Sequence, residues 1–558
     1  MSPQLQINQG PQDALLFDNT RSYFTNVAYA RTSNFQMELR DVDAQNTANL
    51  GGTVNFVIPK AADLLGPVDL MIQFAQTETN APGAAAAGKF WGWVESIGYA
   101  MIEKVTFSVG SHDVETITGE HLNIMNELMR ADTHRYGFSQ IGKTGRPLVR
   151  SEMGTTGAAG STPATNVSTY YDTNTDASTY DRLIAADATH KEGKKLIIPL
   201  GLFFTTHASK YFPLAAIAGV NDVRISIKFR TLNELLMCHG KYASLASVIS
   251  AAVAPADANL ANIKFKGGNA FSSDKGCFLR CHYVHVTGPE STALMSREHV
   301  RLMKLWHGNE VSKQFTISCS AAGAKSTLDI DLSFLHPVQE LVITIRKVSD
   351  MGSDTANAVA IGAAASEPKA AKNTAQTKNY FAYHGGGKDP NPDSWPNCVE
   401  ENGTSLASKP TYLKTKTFGL KLNGQSRHLD GSGIDRDYLM NRLIPMLHSN
   451  TSENYSQIAD SSLVTNTTSV ALPSADFRAL AEIKDRKEIY VYPFALNPEG
   501  HNPSGSVNFS KVSHAKLSIE VEGYAPSGAC SDDYQVDVYG VYYNWLAIKD
   551  GRALTSFA

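Results

Sequence analysis

The sequence predicts an all-β chain built as a duplicated sandwich or barrel domain, and three observations carry the prediction. Period-two alternation of apolar and polar residues recurs along the whole chain, placing every second side chain on one buried sheet face. Helical periodicity is scarce, and the short strands are punctuated by Gly, Pro, Asn and Asp turns. The 558 residues exceed the roughly 250–300 over which one core keeps growing, so at least two domains are expected.

Taken in order, the strand-like runs are "TVNFVI" (53–58), "VDLMIQFAQ" (68–76), "VTFSV" (105–109), "VRISIKF" (223–229), "LDIDLSF" (328–334), "KLSIEVE" (516–522) and "YQVDVYGVYY" (534–543). Burying three or four residues per strand, at about 1.5–3 kcal/mol each, fixes the register. A one-residue slip in 328–334 would bury Asp329 and Asp331. The best helical pattern, "TGEHLNIMNELMRAD" (118–132), sets Leu122, Met125, Leu128 and Met129 on one face. Strand, Gly turn, strand, helix runs through 105–129 and again through 418–444. "DVRISIKF" (222–229) likewise matches "HAKLSIEV" (514–521), and "KKLIIPLGLFF" (194–204) matches "KEIYVYPFAL" (487–496). This is the pattern of a duplicated all-β domain. Between matched segments lie low-complexity insertions, expected as long surface loops.

Composition narrows the function. Hydrophobic residues are 42%, charged residues 19% and the formal net charge is -4, so direct nucleic-acid binding is not expected. Six cysteines, Cys238, Cys277, Cys281, Cys319, Cys398 and Cys530, are too sparse for a disulfide scaffold and read as mostly reduced. The first residues lack the basic and apolar regions of a secretory signal, and no apolar window is long enough to span a membrane.

Chemistry-bearing motifs each meet a physical objection. "GFSQIGKT" (137–144) fits a phosphate loop, with Lys143 as its lysine, but a helix precedes it and Gly145 and Pro147 follow where a helix must begin. Cys277, Cys281 and His285 of "CFLRCHYVHV" share a strand face yet lie about 13 Å apart from one to the next, too far for one zinc. His112 in "GSHD" and His428 in "SRHLD" read as polar turn residues. There is no H-x-H, G-x-S-x-G, H-E-x-x-H or G-x-G-x-x-G pattern, so no catalytic, metal or cofactor site is expected. Six sequons stand at Asn166, Asn402, Asn450, Asn454, Asn466 and Asn508, the first five being candidate glycosylation sites. Trp91, Trp93 and Trp395 are the aromatic platforms that a competing reading, a carbohydrate-binding or carbohydrate-cleaving sandwich, would use.

The run "NPEGHNPSGSVNFS" (497–510) looks catalytic in isolation, with Glu499, His501, Ser504 and Ser506 close together. Pro498 and Pro503, with Gly500 and Gly505, make it a shaped turn between strands. With "WVESIGYAMIEKVTFSVGSHDVETITGEHLNIMNEL" (93–128), "LSFLHPVQELVI" (332–343), "LKLNGQSR" (420–427), "IYVYPFALNPEGHNPSGSVNFSKVSHAKLSI" (489–519) and "DVYGVYYNWLAIKDGRA" (537–553), the chain resembles the major capsid proteins of nucleocytoplasmic large DNA viruses.

That resemblance implies a double jelly roll: two tandem eight-stranded sandwiches with a few short helices and long loop insertions. It implies an arm at 1–28, a first sandwich at 29–235 with an insertion at 151–193, and a linker at 236–275. A second sandwich follows at 276–549 with an insertion at 349–410, then a tail at 550–558. The two insertions are the expected exterior. The implied protein is not an enzyme and takes no cofactor or small-molecule substrate. It forms homotrimeric pseudo-hexagonal capsomers in the virion's outer shell, beside neighbouring capsomers, minor capsid and penton proteins and an inner viral membrane, and is made in the host cytoplasm. Its signature turn and contact residues map to Asn497, Glu499, His501, Pro503, Ser504, Gly505, Asn508, Phe509, His336, Pro337, Asn423 and Gly424. The helix around "NELMR" and the segment 420–448 are the expected inter-subunit surfaces, and His501→Ala is expected to impair trimer yield or stability.

Overall fold

The structure is a computed structural model and describes residues 34–75, 89–93, 96–129, 183–184, 196–240, 268–272, 275–307, 311–320, 322–348, 380–381, 383, 412–428, 433–448, 488–524 and 530–556. The first half contributes strands β1 (Phe35–Asp43), β2 (Thr53–Ile58), β3 (Leu64–Ile72), β4 (Lys89–Trp93), β5 (Ile102–Val109), β6 (His112–Ile117), β7 (Leu183–Ile184), β8 (Leu196–Leu200), β9 (Phe212–Pro213), β10 (Val223–Phe229), β11 (Leu236–Gly240) and β12 (Cys277–Val286). The second contributes β13 (His299–Trp306), β14 (Val311–Cys319), β15 (Ala324–Leu332), β16 (Pro337–Lys347), β17 (Tyr412–Leu422), β18 (Gln425–Ser426), β19 (Ile434–Asp435), β20 (Ile489–Pro493), β21 (Val507–Asn508), β22 (Ala515–Tyr524), β23 (Cys530–Lys549) and β24 (Arg552–Thr555).

Alternation becomes burial as expected. Val54, Phe56 and Ile58 of β2, and Val223, Ile225, Ile227 and Phe229 of β10, point into the core while their neighbours are partly or fully exposed. In β15 Leu328, Ile330 and Leu332 are buried, and Asp329 turns outward to Lys516 at 2.8 Å and Ser518 at 2.6 Å.

Pairing is antiparallel throughout. The first half stacks a sheet of order β1-β12-β3-β8 on one of order β2-β10-β5-β6; the second stacks β13-β23-β16-β20 on β15-β22-β17-β18. Counting the eight main strands of either half from its first, the orders are the same, 1-8-3-6 and 2-7-4-5. The chain is therefore a double jelly roll, and the segments matched in sequence occupy equivalent places: β5 with β17, β8 with β20, β10 with β22. Accessory strands match too, since β9 pairs with β3 as β21 pairs with β16.

One boundary moves. β12 pairs with β1, Phe35 opposite Val286, and with β3, Leu279 opposite Leu70. The segment expected to begin the second sandwich is the eighth strand of the first. Alternation marks a strand but says nothing about which sheet, over two hundred residues away, receives it. The segment 236–275 is likewise no plain linker: β11 joins a three-stranded sheet with β4 and β7, and Phe271 bridges to Phe74. Part of the tail is also structured. Asp550 and Gly551, both at positive φ, turn β23 into β24, and the Gly551 carbonyl accepts from Asn221 Nδ2 (2.8 Å) and the Ala218 N–H (3.0 Å) of the first sandwich.

Candidate functional site: the junction between the sandwiches

The helix Gly119–Met129 follows β6, and from Gly119 to Leu128 all its residues but the half-buried Met125 are buried, polar ones included. Its apolar residues join the core of its own sandwich. Its polar residues meet the outer face of the second sandwich's sheet. Glu120 lies 3.0 Å from Arg346 of β16, whose other carboxylate partner is Asp537 of β23. Burial drives the Glu120 pKa up and Arg346 only partly offsets it; Arg346 itself, burial notwithstanding, is held cationic by the two carboxylates. His121 stacks on Trp306 at 5.0 Å and meets Tyr539 edge-on at 4.9 Å. Burial lowers its pKa to about 3, so the imidazole is neutral, and Nδ1 accepts the Thr118 N–H at 3.3 Å.

This corrects an expectation. The "NELMR" helix is not an inter-subunit surface but the seam between the two halves of one chain. It also explains why β16 is buried on both faces over nearly its whole length. Three residues of the insertion 349–410 are described, and they lie inward. Within it Tyr380, Phe381 and Tyr383 are buried at the seam: the Tyr380 carbonyl accepts from Arg346 (3.2 Å), Arg230 lies over the Tyr380 ring (4.5 Å), and Asn123 donates to the Tyr383 hydroxyl (3.3 Å).

The 497–510 turn sits at the edge of this seam. Ser504 closes it, its Oγ accepting the Asn497 N–H (2.9 Å) and donating to the Asn497 carbonyl (3.0 Å), while Asn497 Oδ1 accepts the Gly500 N–H (2.9 Å). Gly505 has φ +144°, and a Cβ there would stand 2.9 Å from the Phe494 carbonyl. Lys304 Nζ donates to the carbonyls of Pro498 and Gly500, 2.6 Å each, and burial lowers its pKa to about 8. Glu499 reaches His448 Nδ1 at 3.3 Å, and Glu340 reaches His448 Nε2 at 3.1 Å. Burial pulls the His448 imidazolium down, but these two hydrogen bonds and carboxylate charges outweigh it and carry its pKa up to about 9. His501 stacks on His207 at 4.5 Å and meets Ser209 Oγ at 3.1 Å. His207 and Ser209 belong to the first sandwich's own loop after strand six, so equivalent loops of the two repeats touch.

The remaining signature residues brace the same sandwich. Pro337 pairs with Asn508, whose Oδ1 accepts the Ser510 N–H at 3.1 Å. Phe509 is buried edge-on to Phe334 and Phe494. His336, at φ 66°, donates its N–H to Ser510 Oγ (2.9 Å) and accepts from the Phe509 N–H (3.0 Å). Asn423 and Gly424, at φ 51° and 80°, form the tight hairpin between β17 and β18, and Asn423 Oδ1 accepts the N–H groups of Ser513 (2.8 Å) and His514 (3.2 Å). Pro503 lies in the exposed part of the turn.

Elsewhere, Cys281 points into the first core, burial raises the Cys277 and Cys281 thiols to about 12, and His285 pairs with Glu38 at 2.9 Å. His112 meets Thr555 (3.3 Å) and His428 meets the Tyr492 hydroxyl (3.0 Å). Trp91 and Trp93 lie on β4. The phosphate-loop match, Trp395, the arm at 1–28 and the sequons at Asn166, Asn402, Asn450, Asn454 and Asn466 fall outside the described residues. Sequence reasoning missed Arg346, Asp537, Glu340 and His448. For Arg346 and Asp537 the signal was a charge set inside an apolar strand, "VITIRK" and "VDVYG", which marks an outer face that is also buried.

The fold and its buried seam define a tandem jelly-roll protein, two sandwiches of one strand order joined face to edge. Residues 22–263 match the family model described as major capsid protein N-terminus, and residues 478–553 match that of the large eukaryotic DNA virus major capsid protein. The major capsid protein of Phaeocystis pouchetii virus is 21% identical over 565 residues, covering 97% of this chain and 96% of that one. That of Pyramimonas orientalis virus is 22% identical, covering 97% and 95%. Among solved structures, PBCV-1 VP54 superposes with a TM-score of 0.54 at 16% identity, covering 96% of this chain and all of that one. The Faustovirus major capsid protein gives 0.54 at 11%, covering 97% and 94%. The chain belongs to the major capsid proteins of large eukaryotic DNA viruses. It is a structural component of the virion, not an enzyme.

Proposed function

We propose that the chain assembles as a homotrimer whose six jelly rolls form a pseudo-hexagonal capsomer, the tile of an icosahedral shell. The observation that carries this reading is the repetition itself: two sandwiches of one strand order, fastened side by side by a buried seam, give each chain two near-equivalent tiles. Three such chains close a ring of six when each step is a sixth of a turn. The neighbours are then other capsomers, minor capsid and penton proteins, and an inner viral membrane, with synthesis in the host cytoplasm. The signature turn at 497–510 acts structurally, fixing the second sandwich's rim against the first. Sedimentation of the purified chain at micromolar concentration tests the reading: three copies per particle are expected, and a stable folded monomer contradicts it.

A further inference from the structure

Within one chain, the contact between sandwiches has two sides. The first sandwich supplies its helix after strand five and its loop after strand six, through Glu120, His121, His207 and Ser209. The second supplies the outer face of the sheet holding its first and eighth strands, through Trp306 and Tyr539, with Arg346 beside them. Each sandwich has both kinds of surface, so among the described residues the duplication leaves one of each without a counterpart in the chain.

Those two surfaces carry exposed apolar side chains. The helical run Arg436–Leu447, the second sandwich's equivalent of Gly119–Met129, presents Tyr438 (56% exposed) and Met446 (60%). Matching Leu439 to Leu122 places Tyr438 where His121 stands. In the adjoining loop Leu496 is 86% exposed, whereas Leu202, its counterpart when Pro493 is matched to Pro199, is fully buried. On the other side Phe35, Met37 and Leu39 of β1 alternate on the sheet face away from the core and are 49%, 52% and 60% exposed, with the Asp41–Arg280 ion pair beyond them. In the second sandwich that face is where Trp306 receives His121.

We propose that Tyr438, Met446 and Leu496 of one chain seat on the outer face of β1 in a second copy of this chain, around Met37 and Leu39. The contact repeats between chains the one that joins the sandwiches within a chain. It rests on the capsomer reading above and adds which surfaces meet. It is head-to-tail, so each copy gives one face and receives on the other, and the ring closes without leaving either face open. Apolar residues suit this seam because it forms between folded chains; Arg442, exposed on the same helix stripe between Tyr438 and Met446, adds one cation to that otherwise apolar row.

Sedimentation velocity at micromolar concentration separates the possibilities, using the wild-type chain, Met446→Glu, Leu39→Glu, the chain with both substitutions, and an equimolar mixture of the single variants. The wild type is expected at three copies, and each single variant at one. The mixture is expected at two copies: the intact helix face of Leu39→Glu docks on the intact β1 of Met446→Glu, and no further copy can add. The double variant stays at one copy in any mixture. Single variants that remain at three copies overturn the assignment of surfaces while leaving the capsomer reading standing; a wild type at one copy overturns that reading. Should residues 1–33 of the same chain cover β1 instead, Leu39→Glu lowers the melting temperature and Met446→Glu leaves the mass at three copies, which also overturns the proposal. If either variant fails to fold, Leu39→Cys with Met446→Cys under a short bismaleimide replaces it. A ladder up to three chains that needs both substitutions supports the contact, and its absence overturns it.

Discussion

The two helices that follow strand five stand in equivalent places, yet one is buried over nearly all its described side chains and the other keeps a row of side chains in water. Gly119–Met129 meets the second sandwich through Glu120, His121 and Asn123, polar groups that survive burial because Arg346, Trp306 and Tyr383 await them. Arg436–Leu447 buries Leu439, Met440, Ile444 and Leu447 against its own sandwich but leaves Tyr438 and Met446 exposed. Duplication thus built one interaction surface twice and satisfied it once. A seam formed during folding tolerates buried charge, since both partners are covalently held in register. One formed afterwards is better served by apolar contact.

The largest effect expected on the closed seam comes from Arg346→Ala, which strands Glu120 and Asp537 without their cation. Unfolding stability should fall by about 3–5 kcal/mol by chemical denaturation; a change under about 1 kcal/mol would mean that the seam is not held by this group.

His448 comes next. Its pKa is raised from 6.5 to about 9, so its stabilisation is fully present below pH 6.5 and is lost as pH rises through 9. The shift corresponds to roughly 3 kcal/mol. Denaturation midpoints of the wild type should fall across pH 6.5–9, and those of His448→Gln should fall less over the same range.

His121 has the opposite sign. Its pKa is lowered from 6.5 to about 3, so stability is lost as pH falls below 6.5, by roughly 2 kcal/mol at pH 5. His121→Phe, which keeps the ring against Trp306, should lose less stability on acidification; equal loss would place the acid sensitivity elsewhere. The smallest effect is expected at His501→Ala, where exposed contacts to His207 and Ser209 are removed, costing under about 1 kcal/mol in melting experiments.

Much of the fold was legible because alternation writes the buried face into the sequence. The runs 53–58, 223–229 and 328–334 are strands with the expected side inward, and the repeat matches fall on equivalent strands. What alternation could not convey is where a strand pairs, so β12 was assigned to the wrong sandwich. The seam was less legible still. Glu120, Arg346 and Asp537 are far apart in sequence, and each is a single charge whose partner is evident only once the two sandwiches cover one another. The turn at 497–510 was read correctly as a turn from its prolines and glycines. Its contact with His207 depends on the two repeats lying side by side, which no local pattern encodes.

The central claim is that the joint between sandwiches recurs between chains. Cryo-electron microscopy of the purified chain tests it most directly. The account expects a closed ring of three copies showing six similar lobes, with the helix after strand five at every boundary between lobes, alternately Gly119–Met129 and Arg436–Leu447. Isolated two-lobed particles, or a ring whose inter-chain boundaries lack Arg436–Leu447, would contradict it.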